Sequence, residues 1–92
     1  MQIKVQYTTQ LKAEIGVAEE SIQITDDAKL TDVLSAMEER HSDTFRRLVL
    51  DSEGNLLPSI LLCVNDQQVD IDNTTPLTDG SVVTLLSAIS GG

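Results

Sequence analysis

The residues with the clearest chemical potential are the last two, Gly91 and Gly92, which follow the run Ser87-Ala88-Ile89-Ser90. Neither carries a Cβ, so the backbone there can thread a narrow channel in almost any φ/ψ combination. At ordinary glycine usage of about 7%, such a pair closes roughly one chain in 200 by chance, so it needs support from the rest of the sequence. A C-terminal carboxylate, with an ordinary pKa of roughly 3.3–3.7, is an anion at neutral pH and a poor acyl electrophile. It can, however, attack an activated phosphate. An ATP-dependent partner would convert it to an acyl adenylate with AMP as leaving group; a sulfur nucleophile would then give a thiocarboxylate, and an amine an amide. Residues 87–92, at about 3.3 Å each, would reach roughly 20 Å beyond a sheet. The small side chains of Ser87, Ala88 and Ser90 suit that passage, and Ile89 is a candidate anchor.

Other reactive side chains fit structural roles better. Cys63, the single cysteine, lies inside the apolar run Ile60-Leu61-Leu62-Cys63-Val64, where a thiol behaves as a small hydrophobe. It excludes an internal disulfide and a cysteine-based metal cluster. His41, the single histidine, follows Glu39-Arg40 at an expected helix end, where a cation complements the helix dipole on the surface. Asp70, Asp72 and Asn73 lack the glycine and terminal glutamate of a calcium loop. Arg46-Arg47 is too short for a basic patch. No set of acid, base and nucleophile emerges, which argues against an enzyme in its own right.

The elements that must hold out such an end read clearly. Ile3, Val5 and Tyr7 alternate with polar residues as a half-buried first strand, and Ser21-Ile22-Gln23-Ile24 alternates again after a turn around Gly16. Asp26 and Asp27 offer N-cap oxygens for a helix over residues 29–41, where Leu30, Val33, Leu34 and Met37 form one apolar stripe. Residues 42–55 either extend that helix through Phe45 and Leu48 or start a short strand at Leu48-Val49-Leu50, before a turn at residues 51–55. Residues 60–64 make a central strand, residues 68–71 a further short one, and residues 81–86 the last. In that last strand Val83 and Leu85 share one face, and Val82, Thr84 and Leu86 the other. One helix cannot cover both faces of a four- to five-strand sheet, so the fold class is an α+β two-layer domain with one sheet face open.

Composition agrees. Ninety-two residues make a single small domain, and with Tyr7 and Phe45 as its aromatics the core is aliphatic. Fifteen acidic residues against six basic ones give a net charge of −9, which disfavours nucleic acid and anionic membranes and favours a partner with a basic or mixed patch. No window approaches a membrane span and no signal segment opens the chain, so the expectation is a soluble, cytoplasmic protein.

The strand–strand–helix–strand–strand order, Val64-Asn65-Asp66, Pro76-Leu77-Thr78-Asp79-Gly80 and the Gly-Gly end together resemble the MoaD/ThiS family of ubiquitin-like sulfur carriers. Leu11-Lys12-Ala13-Glu14-Ile15-Gly16 also resembles the loop that MoaD-type members place after their first strand. The resemblance covers essentially the whole chain. It implies a β-grasp domain over residues 1–86 with a flexible tail over 87–92. It implies activation by an E1-like (MoeB/ThiF-type) adenylyltransferase that uses MgATP, with no cofactor bound to the chain itself. It implies a thiocarboxylate on Gly92, loaded by a sulfur donor and spent in a downstream sulfur-accepting synthase. Leu86, Ile89, Gly91 and Gly92 would then meet the partner, Leu86 matching an apolar docking residue on the open sheet face. The chain is longer than thiazole-pathway carriers and lacks the tail proline of many molybdopterin carriers. Its insert over residues 42–59 places it nearer MoaD-like or cysteine-biosynthesis carriers. The competing reading is a protein modifier joined to lysines through Gly92, which shares the activation step; a plain interaction domain is a third.

Overall fold

The computed structural model describes residues 1–71 and 76–87, the side chain of Thr9 excepted. Alternation builds β1, Gln2–Tyr7, with Ile3, Val5 and Tyr7 buried. It pairs antiparallel with β2, Glu19–Gln23, joining Ile3 to Ile22 and Val5 to Glu20. The other strands are β3, Ile60–Val64, β4, Gln67–Val69, and β5, Val82–Ser87. β5 lies parallel to β1 and antiparallel to β3, and the five-stranded sheet runs β2-β1-β5-β3-β4. The five-strand sheet with one open face is as expected from the sequence.

The helix expected over 29–41 is α2, Leu30–His41, burying Leu30, Val33, Leu34 and Met37. Its N-cap is Lys29, not Asp26 or Asp27. The Lys29 amide donates to Asp32 Oδ2 at 2.9 Å, while Asp26 accepts from the N-terminal ammonium at 2.9 Å. The aspartates sit inside a turn closed by the Ala28 amide on the Thr25 carbonyl, and two residues, Ala28 and Lys29, separate them from the helix start.

Three further departures have local causes. The connection read as a turn around Gly16 contains a helix, α1, Thr9–Ile15, which Gly16 ends at φ 96°. Residues 42–55 neither extend α2 nor form a strand. Ser42 at φ 54° breaks the chain direction, and α3, Asp43–Val49, follows it, burying Phe45 and Val49. The strand read at residues 68–71 starts and stops earlier, as β4. The turn at residues 51–55 is as expected, with Asp51 Oδ1 accepting from the amides of Glu53 and Asn55, both at 2.9 Å.

The core joins the inward faces of β1, β2, β3 and β5 to α2 and α3. Phe45, Val33, Val49, Val83 and Leu85 are all fully buried. Burying one such side chain is worth about 1.5–3 kcal/mol, so a core made mostly of Ile, Leu and Val suffices here with Phe45 and Tyr7 as its aromatics.

Candidate functional site

β5 carries the chain toward its end. It lies centrally, between β1 and β3, and is therefore held on both edges: Tyr7 pairs with Leu85, and Ile60 with Ser87. At Thr8 the chain leaves β1 for α1, and the Thr8 hydroxyl donates to the Leu85 carbonyl at 3.2 Å. Ile89, Gly91 and Gly92, three of the four sequence-derived site residues, lie outside the described residues. The fourth, Leu86, sits where strand parity put it: Val83 and Leu85 are buried, whereas Val82, Thr84 and Leu86 turn to the opposite face.

That opposite face is a surface of its own. Register sets Leu86 beside Leu61, and Thr84 between Gln6 and Cys63. Leu61, Cys63, Val82, Thr84 and Leu86 are each half-buried, and Gln2, Lys4, Gln23 and Gln68 around them are exposed. Cys63 is thus a member of the open face rather than of the core, since its neighbours Leu62 and Val64 take the inward positions. The Thr84 hydroxyl meets Gln6 Oε1 at 3.3 Å, tying the polar side of this face together. A shallow apolar stripe with a polar rim is the anatomy of a protein-docking surface.

A polar cluster that sequence reasoning missed stands on the other side of the sheet. Tyr7 is buried and donates its hydroxyl to Glu20 Oε2 at 2.6 Å. Arg40 reaches Glu20 Oε1 at 3.0 Å, and His41 Nε2 contacts Glu20 Oε2. The rings of Tyr7 and His41 meet edge to face, their centroids 6.1 Å apart. His41 ends α2 as expected, but its side chain is partly buried against Glu20 rather than standing on the open surface. Burial works against the ionised form of Glu20, but hydrogen bonds from Tyr7, His41 and Arg40 outweigh it and hold the carboxyl below its usual range. Burial first, then the bond to Glu20, pushes the Tyr7 phenol up, so it stays a donor. The signal was present in the sequence. An inward-pointing tyrosine needs a partner for its hydroxyl, and Glu20 shares the inward parity of Ile22. The cluster fastens the C-terminal end of α2 to edge strand β2, close to where β1 ends and β5 finishes.

No helix among the described residues is long and apolar enough to cross a membrane. No curated protein matches the chain. Solved structures do match. SAMP1 (small archaeal modifier protein 1) of Haloferax volcanii superposes with a TM-score of 0.88 at 20% identity over 100% of both chains. A Pyrococcus furiosus protein proposed to be molybdopterin converting factor, subunit 1, matches with a TM-score of 0.75 at 26% identity over 97% of this chain and 99% of that one. The complex of subunits 1 and 2 of the Helicobacter pylori molybdopterin-converting factor supplies a further match, with a TM-score of 0.63 at 23% identity over 100% of both chains. These likenesses confirm the β-grasp, ubiquitin-like fold. At the level of sequence, the model of the ThiS family matches residues 5–92, so nearly every element described above and the Gly-Gly end fall within it, and this chain belongs to the ThiS family.

Proposed function

We propose that the chain is a sulfur-carrier protein whose reactive group is the carboxylate of Gly92. In an E1-like adenylyltransferase holding MgATP, a Gly92 carboxylate oxygen attacks the α-phosphorus and pyrophosphate leaves, giving the acyl adenylate. A donor supplying sulfur at the oxidation level of sulfide then attacks the acyl carbon, and AMP departs with the electron pair of the broken C–O bond. The product is a thiocarboxylate, which passes its sulfur to a synthase of the molybdopterin or cysteine type. The carrier is the substrate of these steps, which we place in the cytoplasm, where ATP is supplied.

The observation that carries this reading is the ThiS family match, which extends to Gly92 itself. The geometry is compatible with it. A central strand pinned on both edges ends at Ser87, and the half-exposed Leu86 and Leu61 stripe on the open face offers the activating enzyme an apolar contact. The test is ATP–pyrophosphate exchange by the cognate activating enzyme. Wild-type protein should support exchange, and deletion of Gly92 should abolish it while the thermal melt stays unchanged. Exchange that survives the deletion contradicts the proposal.

A second reading is favoured by the full-length likeness to SAMP1. After the same adenylation, a lysine amine of a target would attack the acyl carbon of Gly92 and displace AMP, and Gly92 would end in an isopeptide bond. Branched Gly-Gly remnants on cellular lysines after proteolysis would select this outcome.

A further inference from the structure

We propose that Thr8 is a positioning residue for the C-terminal Gly-Gly end, its side-chain hydroxyl clamping β5 two residues before Ser87, the last described residue. The inference rests on the function proposed above.

Three observations on the chain's own geometry carry it. The Lys4 amide donates to the Ser81 carbonyl at 3.0 Å, and a parallel ladder repeats such a bond every second residue, so the Leu85 carbonyl falls to residue 8. Thr8, still extended at φ −119° and ψ 157°, is the last residue before α1, and its side chain adds to the ladder there: Thr8 Oγ1 donates to the Leu85 carbonyl at 3.2 Å. Secondly, Thr8 is the N-cap of α1, a place where a threonine hydroxyl ordinarily accepts from an amide of the first turn, yet no such capping bond is made. The hydroxyl is directed to β5 instead. Thirdly, Thr8 is itself held. The Tyr7 amide donates to the Ala18 carbonyl at 2.9 Å, the Tyr7 phenol is fixed by Glu20, and α1 packs against β5. Ile60 constrains Ser87 from the β3 side, so Thr8 completes a two-sided grip on the last turn of the strand. Fixing the end of β5 in advance lowers the ordering entropy that must be lost when the Gly-Gly end is bound in a nucleotide site.

The substitutions are Thr8→Val, which keeps the shape and removes the hydroxyl, and Thr8→Ser, which restores it. A hydroxyl bond of 3.2 Å is longer than the usual O–H···O range, so its loss should change local opening and adenylation by no more than about threefold. For Thr8→Val we expect faster amide exchange in the last residues of β5 but not around Val83. We also expect kcat/KM for adenylation to fall while the protein stays fully folded at the assay temperature, and Thr8→Ser to recover both. Wild-type exchange in Thr8→Val overturns the clamp. Faster exchange with unchanged kcat/KM overturns the positioning role, as does a loss of activity that Thr8→Ser fails to rescue. If wild-type protein is not adenylated at all, the proposed function falls and with it the positioning role, while exchange still decides whether the clamp exists.

Discussion

Leu85 and Leu86 are adjacent and chemically identical, yet strand parity gives them opposite duties. Leu85 is fully buried against the helices, whereas Leu86 stands half-exposed on the open face beside Leu61. Leu85→Ala should therefore cost about 2–5 kcal/mol of stability through the cavity it leaves. Leu86→Asp should leave the urea midpoint nearly unchanged and weaken binding to the activating enzyme by about tenfold or more. Calorimetry on both variants separates the two duties; a folded-state cost for Leu86→Asp matching that of Leu85→Ala would contradict the assignment. Glu20 makes a prediction about pH. Its folded-state pKa is depressed by three hydrogen bonds that outweigh its burial. The stability it contributes is therefore complete above the unfolded carboxylate value of about 4.3 and is lost as pH falls through the lower folded value. Glu20→Gln should be less stable than wild type by about 1–2 kcal/mol at pH 7, since it forfeits charge-assisted bonds. The gap should close as urea midpoints are followed below pH 4, and a gap independent of pH would contradict the account.

Among the elements, those with strong periodicity were legible. Alternation in β1 and β2, the four-residue apolar stripe of α2 and the continuous apolar run of β3 each bury a face large enough to leave a pattern. α1 escaped because seven residues hold only Leu11 and Ile15 at helical spacing, too little for a stripe. β4 is three residues long and takes its place from pairing with β3, not from its own sequence. The aspartates before α2 look like caps until Asp26 is seen bound to the N-terminal ammonium. At the candidate site, parity made the placement of Leu86 legible from one strand. Of the Tyr7–Glu20–Arg40–His41 cluster, parity carried a signal for Tyr7 and Glu20 only; Arg40 and His41 were not legible, because α2 must be docked on the sheet before they meet Glu20. Ser42 links α2 to α3 at φ 54° and ψ −124°, a backbone region that favours glycine. Ser42→Gly should relieve that strain by more than the entropy it adds to the unfolded chain, a net gain of about 1 kcal/mol. In a domain of this size such a gain raises the melting temperature by about 4–8 °C. A lower melting temperature would show that the α2–α3 junction is not strained.

For the whole molecule, a small aliphatic core supports a sheet with one face uncovered, on a chain of net charge −9. That charge should steer encounter with an activating enzyme bearing a basic or mixed patch more than it deepens the final affinity. The association rate measured by stopped flow should fall as ionic strength rises, while dissociation changes little; a rate indifferent to salt would remove electrostatic steering from the account. The fold and family were readable from sequence because element order and the Gly-Gly end act at this scale, whereas the acceptor of the sulfur is a property of partners. The most direct test of the central claim is the intact mass of the protein after incubation with its activating enzyme, MgATP and a sulfur donor. The account predicts a gain equal to replacing one oxygen by sulfur, located on Gly92 and absent without ATP. A mass that stays unchanged, under conditions in which the enzyme activates its known substrate, would contradict it.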